Sequence, residues 1–204
     1  AGEKLADLNL PDDERRMEHF SVKEAVMPFG RFPGADVVLG PEMKSTGEVM
    51  GIARNFPAAY AKTQLAISYE LPQEGTVFIS VCDRDKRSII PIARDIARLG
   101  FKIVATAGTE RALRAAGIEC ELVKKVREGS PNVIDRIVSG EVTLMINTPF
   151  GHETRSDGYE LRAAAVRHGL TYVTTLSAAQ AFVAGMEVAL QDLPQWEGPA
   201  AAER

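Results

Sequence analysis

The chain has 204 residues, which accommodates one complete domain or one domain with part of a second. It carries 24 basic and 28 acidic residues, a formal net charge of −4 without a long basic run, and this balance argues against nucleic acid as a partner. Hydrophobic residues make up 45% and charged residues 25% of the chain, so the composition is typical of a folded globular protein rather than a mainly disordered one.

The sequence also bears on the cellular compartment. Its apolar runs fall well short of the roughly 20 residues that cross a bilayer, so we expect no membrane segment. Residues 1–16 are acidic and polar and lack the features of a secretory signal. The two cysteines, Cys82 and Cys120, do not form a C-x-x-C pair, and a cytoplasmic location is expected. The start at Ala1 opens no recognisable core and suggests a processed start or a fragment of something longer.

The region before the Pro- and Gly-bearing linker 71–75 (LPQEG) is irregular. Residues 20–29 are predicted to form a short strand, and residues 56–65 a helix with a proline near its first turn. Residues 32–42 are too rich in Gly and Pro for a regular element. One helix and one or two strands bury little surface, so this region is not expected to close a core by itself.

After the linker, strands and helices alternate. The first helix is predicted to be capped near Asp85 or Ser88 and to end at Gly100. The alternation predicts right-handed crossovers and an α/β fold, a five-stranded parallel sheet flanked by helices on both faces. The strand at 142–147 is the most hydrophobic and is expected to be central. The predicted strands are 77–82, 101–105, 120–123, 142–147 and 171–174, and the later helices 110–116, 132–139, 158–168 and 177–190.

Ligands of open parallel sheets bind beyond the carboxyl ends of the strands, so the residues that follow each strand are the candidates. Four successive strand ends carry hydroxyl, amide or ammonium groups, and a glycine lies beside a helix N-terminus. A phosphate needs this combination of backbone donors, a favourable helix dipole and compensating positive charge, and we therefore predict an anion site. Its residues are Lys86, Thr106, Gly108, Thr109, Lys124 or Lys125, Asn147 and Thr148.

Each of these residues also has a purely structural interpretation. Gly108 fits a tight turn, Thr106 and Thr109 fit turn and N-cap positions, and taken alone T-x-G-T favours that interpretation. The lysines fit solvated surface, and Asn147 fits a loop cap. The coincidence of compatible groups at four strand ends favours the anion site.

The residues do not predict a catalytic centre. None of His19, His152 and His168 has metal-ligand spacing to a second ligand, so no metal site is predicted. Each cysteine is an isolated residue of a predicted strand, and either could simply pack in the core or at the edge of the sheet. Glu153 and Asp157 could act as acid or base, but nothing pairs them with a partner. These features predict a binding domain without catalytic residues.

Two stretches of the chain resemble a known family. Residues 21–29, 32–34 and 39–51 (LGPEMKSTGEVMG) closely resemble the end of the second ATP-grasp unit of the carbamoyl-phosphate synthase large-chain family. From Thr76 onward the chain resembles that family's regulatory domain, which has a Rossmann-like, methylglyoxal-synthase-like fold. The resemblance implies an incomplete ATP-grasp tail at 1–72, a methylglyoxal-synthase-like domain at 73–192 and a flexible tail at 193–204. The matching motifs are I-S-V-x-x-x-D-K, A-T-x-G-T, K-V-x-E-G-x-P-N-x-x-D, I-N-T-P and D-G-Y-x-L-R.

The resemblance implies that the domain binds a nucleoside monophosphate, UMP as inhibitor or IMP as activator. Pro149 departs from the family pattern, which leaves the ribose contacts open. A second effector pocket of the family, at the junction of the two parts, is matched by Glu24 and Thr174, but Val173 replaces an acidic residue there and argues against ornithine regulation. The implied phosphate contacts are Lys86, Thr106, Gly108, Thr109 and Lys125, and the residues around ribose and base are Ser80, Asn147, Thr148 and Asp157.

The family makes carbamoyl phosphate from glutamine-derived ammonia, bicarbonate and ATP, with Mg²⁺ or Mn²⁺, in pyrimidine and arginine biosynthesis. The implied partners are the rest of the large chain and a glutaminase small chain, and a homo-oligomer is left open. This chain has no E-x-N-P-R stretch, so we expect it to be non-catalytic and without a cofactor of its own. The alternatives are a free-standing lyase of the methylglyoxal synthase type, whose catalytic Asp follows Gly-Gly where this chain has Glu128-Gly129, and a structural assembly module.

Overall fold

The computed structural model describes most of the chain. The predicted tail at 193–204 lies outside the described residues. The described residues are 18–31, 41–67, 71–148 and 154–191 together with Gly2, Lys4, Asp7 and Val37, and for 154–157 they include the backbone alone. None of the helices within these ranges is long and apolar enough to cross a membrane.

The first part of the chain forms a two-stranded antiparallel sheet with a helix packed on it. Strand β1 (Phe20–Val26) pairs with β2 (Gly47–Ala53), and helix α1 (Phe56–Ala66) follows. Strand β2 was not assigned to any element in the sequence analysis. The structure explains Gly51 by a close approach, since a Cβ at this position would lie 2.1 Å from the Ala59 carbonyl oxygen.

The second part is a parallel five-stranded sheet, as predicted. The strands are β3 (Thr76–Ser80), β4 (Lys102–Ala105), β5 (Glu121–Leu122), β6 (Val142–Asn147) and β7 (Thr171–Val173). Their order is β5-β4-β3-β6-β7, and every neighbouring pair is parallel. The middle strand is therefore β3, and the expectation that 142–147 is central was wrong, although β6 is an interior strand. The helices are α2 (Ile89–Arg98), α3 (Ala107–Ala115), α4 (Val133–Val138), α5 (Thr154–Arg167) and α6 (Leu176–Leu190).

Successive residues of β3 face opposite sides of the sheet, and each side carries its own apolar core. Val77 and Ile79 belong to the cluster that includes residues of α2, α3 and α6. Phe78 belongs to the other cluster, with residues of α4 and α5. The strand is buried on both faces, which explains why its sequence is a continuous apolar run instead of an alternating one.

Helix α1 shares the core of the parallel sheet. Its Ala61 is fully buried in the same cluster as Phe182 of α6, and Leu71 from the linker belongs to that cluster too. A Cβ at Gly185 of α6 would lie 3.3 Å from the Tyr60 ring, so the glycine lets the two helices approach closely. The two parts of the chain are thus packed together and not merely tethered.

Candidate functional site

The strand order creates a crevice at the carboxyl edge of the sheet. The chain moves outward from β3 to β4 and β5, then returns to place β6 on the other side of β3, so the crevice opens where the order reverses. A cavity of about 390 Å³ lies there. The predicted site residues that line it are Ser80, Lys86, Thr106, Gly108, Thr109, Lys125, Asn147 and Thr148. The side chain of the remaining one, Asp157, lies outside the described residues.

Hydroxyl groups tie the end of β3 to the start of α3. The Ser80 Oγ and Thr106 Oγ1 atoms lie 3.1 Å apart in a hydrogen bond. The Val81 N–H donates to Thr109 Oγ1 over 3.2 Å, and both threonines are buried. These bonds fix two adjacent strand ends relative to each other, so the hydroxyls are held in place before any ligand arrives.

Thr148 performs the same task on the other side of β3. Its N–H donates to the Ser80 carbonyl oxygen over 3.2 Å, and its Oγ1 accepts from the Cys82 N–H over 3.1 Å. The Asn147 Nδ2 donates to the same Ser80 carbonyl over 3.2 Å. The loops after β3 and β6 are therefore joined into one rim.

The first turn of α3 lies at the cavity, and no side chain caps it. Thr106 is the N-cap residue, but its side chain makes no capping hydrogen bond. The turn that follows contains Gly108, where a Cβ would lie 2.8 Å from the Lys86 Nζ atom. The absent side chain thus leaves room for the Lys86 ammonium group beside the helix N-terminus. The helix begins at Ala107, three residues earlier than predicted, because Gly108 belongs to its first turn and not to a preceding loop.

Positive charge gathers at the mouth of the cavity. The Lys86 ammonium group, half-buried, pairs with the exposed carboxylate of Asp83. The pKa of Asp83 is lowered by its hydrogen bond from Lys86 and by the charge of Lys86; burial opposes this, and the charge of Lys125 adds the smallest contribution. Lys86 and Lys125 both line the cavity, so both ammonium groups can interact with one anionic ligand there.

Asp85, in the same loop, accepts a hydrogen bond from a neutral donor and pairs with Arg84. The Cys82 thiol donates to its carboxylate over 3.1 Å. Burial raises the pKa of Asp85, but hydrogen bonds from Cys82 and Thr148, with the nearby Arg84, outweigh burial and leave the pKa lowered. This carboxylate is therefore ionised at neutral pH and bound within the rim.

Comparison with known proteins identifies the fold. Residues 88–174 match the family model described as the MGS-like domain. The chain contains an MGS-like domain. The match covers most of the rim, from the start of α2 to the end of β7, and confirms the predicted methylglyoxal-synthase-like fold.

The relatives confirm the predicted resemblance to carbamoyl phosphate synthase large chains. The chain is 59% identical over 187 residues to the "Carbamoyl phosphate synthase large chain, C-terminal section" of Methanopyrus kandleri, covering 91% of this chain and 34% of that protein. It is 47% and 53% identical, over 186 residues each, to the large chains of Myxococcus xanthus and Methanothermobacter thermautotrophicus, again over 91% of this chain. It spans 17% of each of those two proteins. The chain is thus similar to part of each of these large chains, and the relative from Methanopyrus kandleri is itself named as a C-terminal section.

The cavity of the MGS-like domain has further walls that were not predicted as site residues. Four of them are apolar side chains, and the others lie in the loop after β3 or in α5. They are Val81, Val126, Val133 and Leu161, together with Cys82, Asp83, Arg84 and Gly158. The motif D-G-Y-x-L-R contains Gly158 and Leu161, so their helical spacing could have placed them on the inner face of α5. That helix begins at Thr154, four residues before the predicted start. Val126 and Val133 follow β5, and no local pattern indicates that they turn toward the rim.

The two residues predicted for the junction pocket line a second cavity, also of about 390 Å³. The Glu24 carboxylate accepts hydrogen bonds from the Thr63 hydroxyl, at 2.9 Å, and from the Gln64 amide, and both donors are buried. Thr174 lies at the end of β7, beside Val173. The walls are otherwise largely apolar, including Phe29, Tyr60, Tyr172 and Phe182.

The structure places the remaining candidates away from the rim. His168 is exposed at the far end of α5, and it lines a third cavity at the opposite edge of the sheet. His152, Glu153 and Pro149 lie outside the described residues. Cys120 is buried, and burial raises the pKa of its thiol to about 11. Within the described ranges, no three His, Cys, Asp or Glu side chains gather as a metal site would require.

Proposed function

We propose that this chain is the effector-binding C-terminal part of a carbamoyl phosphate synthase large chain. Its rim cavity binds a nucleoside monophosphate, UMP or IMP, and this binding regulates carbamoyl phosphate synthesis. The observation that carries the proposal is the meeting of Lys86, Lys125 and the uncapped N-terminus of α3 at one cavity. The sequence similarity to carbamoyl phosphate synthase large chains supports the proposal independently.

A phosphate monoester suits this end of the cavity. It carries about 1.5 to 2 negative charges at neutral pH, and three acceptor oxygens. The two ammonium groups offset its charge, and the N–H groups of the first turn of α3 and the Thr106 and Thr109 hydroxyls supply hydrogen bonds. Both threonines are buried and already fixed, so little side-chain freedom is lost when the anion binds.

The rest of the cavity suits a nucleoside. Its apolar walls at Val126, Val133 and Leu161 provide a surface for a planar base. The cavity volume of about 390 Å³ falls within the range of small-molecule sites. Asn147 supplies a polar group among these walls.

Regulation requires that the nucleotide bind one conformation of the whole enzyme more tightly than another. In this proposal the catalytic chemistry, with ATP and Mg²⁺ or Mn²⁺, belongs to the rest of the large chain, and ammonia comes from a glutaminase small chain. The effector signal passes through α1, whose Ala61 packs in the core of the MGS-like domain. We assign no metal to the described residues, which present no suitable ligand group.

A lyase activity on dihydroxyacetone phosphate is not supported by the rim. The base in such a reaction must be a carboxylate that can take a proton from carbon. Asp83 is in the cavity, but its pKa is lowered through its pairing with Lys86, which makes it a weak base. The Glu128 carboxylate accepts the Lys125 N–H at 2.8 Å and so is engaged in its own turn. An assay for methylglyoxal should give no product.

Calorimetric titration of the chain with UMP, IMP and uridine tests the proposal. We expect UMP or IMP to bind and uridine, which lacks the phosphate, to bind at least tenfold more weakly, because charge-assisted bonds to phosphate are lost. No heat from either nucleotide at millimolar concentration would refute the proposal. Equal binding of UMP and uridine would refute the placement of the phosphate.

A further inference from the structure

An arginine is buried behind the wall of the rim cavity. Arg162 of α5 is 1% exposed, and its helix neighbours Gly158 and Leu161 line the cavity. A guanidinium group remains charged in a protein, and burying it costs free energy unless it makes good hydrogen bonds. The Arg162 Nη1 atom donates to the Asn147 Oδ1 over 3.4 Å. A buried cation therefore contacts a side chain of the proposed nucleotide site.

Two contacts together fix the orientation of the Asn147 carboxamide. Arginine has only donors, so the amide atom next to Arg162 must be the oxygen. The Ser80 carbonyl has only an acceptor, so the amide atom next to it must be the nitrogen, 3.2 Å away. The alternative orientation, with the amide rotated by half a turn, would face donor with donor and acceptor with acceptor.

This orientation decides what Asn147 offers to a ligand. The side chain is buried except for the part that lines the cavity, and it is 7% exposed. One Nδ2 hydrogen is used by Ser80, and no other described residue takes the second. Since the oxygen faces Arg162, the group left for a ligand is an N–H donor.

We propose that Arg162 is a positioning residue that orients Asn147 so that the cavity selects nucleobases carrying a carbonyl oxygen over those carrying an amino group. This inference rests on the proposed nucleotide-binding function and deepens it. A carbonyl oxygen accepts from the Asn147 N–H, whereas an amino group would place two donors against each other and leave both without an acceptor. The cavity would therefore favour UMP over CMP and IMP over AMP.

Gly158 leaves room for this arrangement. A Cβ at this position would lie 2.7 Å from the Arg162 Nη1 and 3.6 Å from the Asn147 Oδ1. Alanine would therefore push the end of the arginine side chain away from the amide. The substitution also favours the helix, because alanine has a higher helix propensity than glycine. Gly158→Ala thus disturbs the contact without threatening the fold.

Calorimetric titration of the chain with UMP, CMP, IMP and AMP tests the inference. We expect each carbonyl-bearing nucleotide to bind roughly tenfold or more tightly than its amino counterpart, because the mismatched pair leaves buried donors unsatisfied. In Asn147→Asp, whose ionised side chain can only accept, this ratio should fall to one or below. In Arg162→Met and Gly158→Ala the ratio should fall by roughly threefold or more. Arg167→Met, an exposed arginine at the far end of α5, is the control and should keep the wild-type ratio.

The ratio of affinities, and not the affinity itself, is the decisive readout. A merely structural Arg162 would weaken all four nucleotides equally and leave the ratio unchanged, which would overturn the inference. Binding of all four with equal affinity by the unaltered chain would also overturn it, while leaving the proposed function intact. If none of the four binds, both proposals fail. Thermal unfolding followed by circular dichroism verifies each variant, and if Arg162→Met does not fold, Asn147→Asp and Gly158→Ala decide.

Discussion

The rim cavity and the junction cavity have the same volume, about 390 Å³ each, but very different linings. At the rim, two lysines and the uncapped start of α3 face the same space. At the junction, the Glu24 carboxylate is already bonded by Thr63 and Gln64. Two cavities of the same volume can therefore suit different ligands, because the lining residues decide which ligand binds. Two lysines and a helix N-terminus at the rim predict an anionic ligand. At the junction, one oxygen of the Glu24 carboxylate is already bonded by two neutral donors, and the walls around it are largely apolar.

The largest expected effect tests the backbone donors of the rim. Gly108→Val would place branched carbon atoms where the Lys86 ammonium group lies, at the N-terminus of α3. We expect UMP or IMP affinity to fall by roughly tenfold to a hundredfold, because charge-assisted bonds to the phosphate are lost. Calorimetry measures the change. Ala107→Val, at the exposed preceding position, is the control, and an equal loss in both variants would contradict the role given to Gly108.

A smaller loss is expected from a single charge at the rim. Lys125→Ala should weaken nucleotide binding by about 1 to 3 kcal/mol, the value of a hydrogen bond to a charged group. Lys124→Ala removes an equally exposed lysine that does not line the cavity, and it should change affinity little. Titration of both variants at the same ionic strength makes the comparison. Similar losses in the two would mean that the lysines act only through general surface charge.

A gain of affinity is expected when the competing carboxylate is removed. Asp83 is ion-paired with Lys86 in the free chain, so a bound phosphate must compete with this carboxylate for the lysine. Asp83→Asn should therefore raise nucleotide affinity, by less than about fivefold, because an exposed ion pair contributes little. The gain should shrink at high salt, which screens exposed charges. Weaker binding by Asp83→Asn would show that Asp83 contacts the ligand instead of competing with it.

The smallest effect is expected at the junction cavity. Ornithine is a cation at neutral pH, and Val173 offers it no charge while Glu24 already accepts two hydrogen bonds. We expect millimolar ornithine to leave the thermal unfolding temperature of the chain unchanged. A clear rise in that temperature, abolished by Glu24→Gln, would overturn the distinction between the two cavities.

The sequence predicted the residues at the strand ends better than it predicted the residues of α5 behind the cavity wall. The carboxyl ends of parallel strands meet at one edge, so Thr106 and Asn147 could be brought together from the chain alone. Arg162 belongs to the motif D-G-Y-x-L-R, but its burial could not be predicted, because it depends on how α5 packs against the sheet. Ser80 was predicted as a site residue only from the family resemblance, because its position in the sequence alone had not selected it.

Glycines lie at two of the differences between prediction and structure. Residues 47–53, which form β2, were assigned no element, and Gly108 was placed in a turn before α3 and not in its first turn. In the structure Gly51 allows Ala59 to approach, and Gly108 allows Lys86 to do so. The atoms that approach each glycine belong to residues outside its local sequence, so a local pattern does not reveal why glycine is needed there.

The shared core of α1 and α6 bears on how the protein can be divided. A shortened chain beginning at residue 73 would keep the whole parallel sheet but lose Ala61 and Leu71 from its largest apolar cluster. The surface of α6 that α1 covers, near Phe182 and Gly185, would then be open to water. Contiguous apolar surface of this kind promotes self-association. The shortened chain would therefore be prone to aggregate, because α1 shields apolar surface of the domain from water.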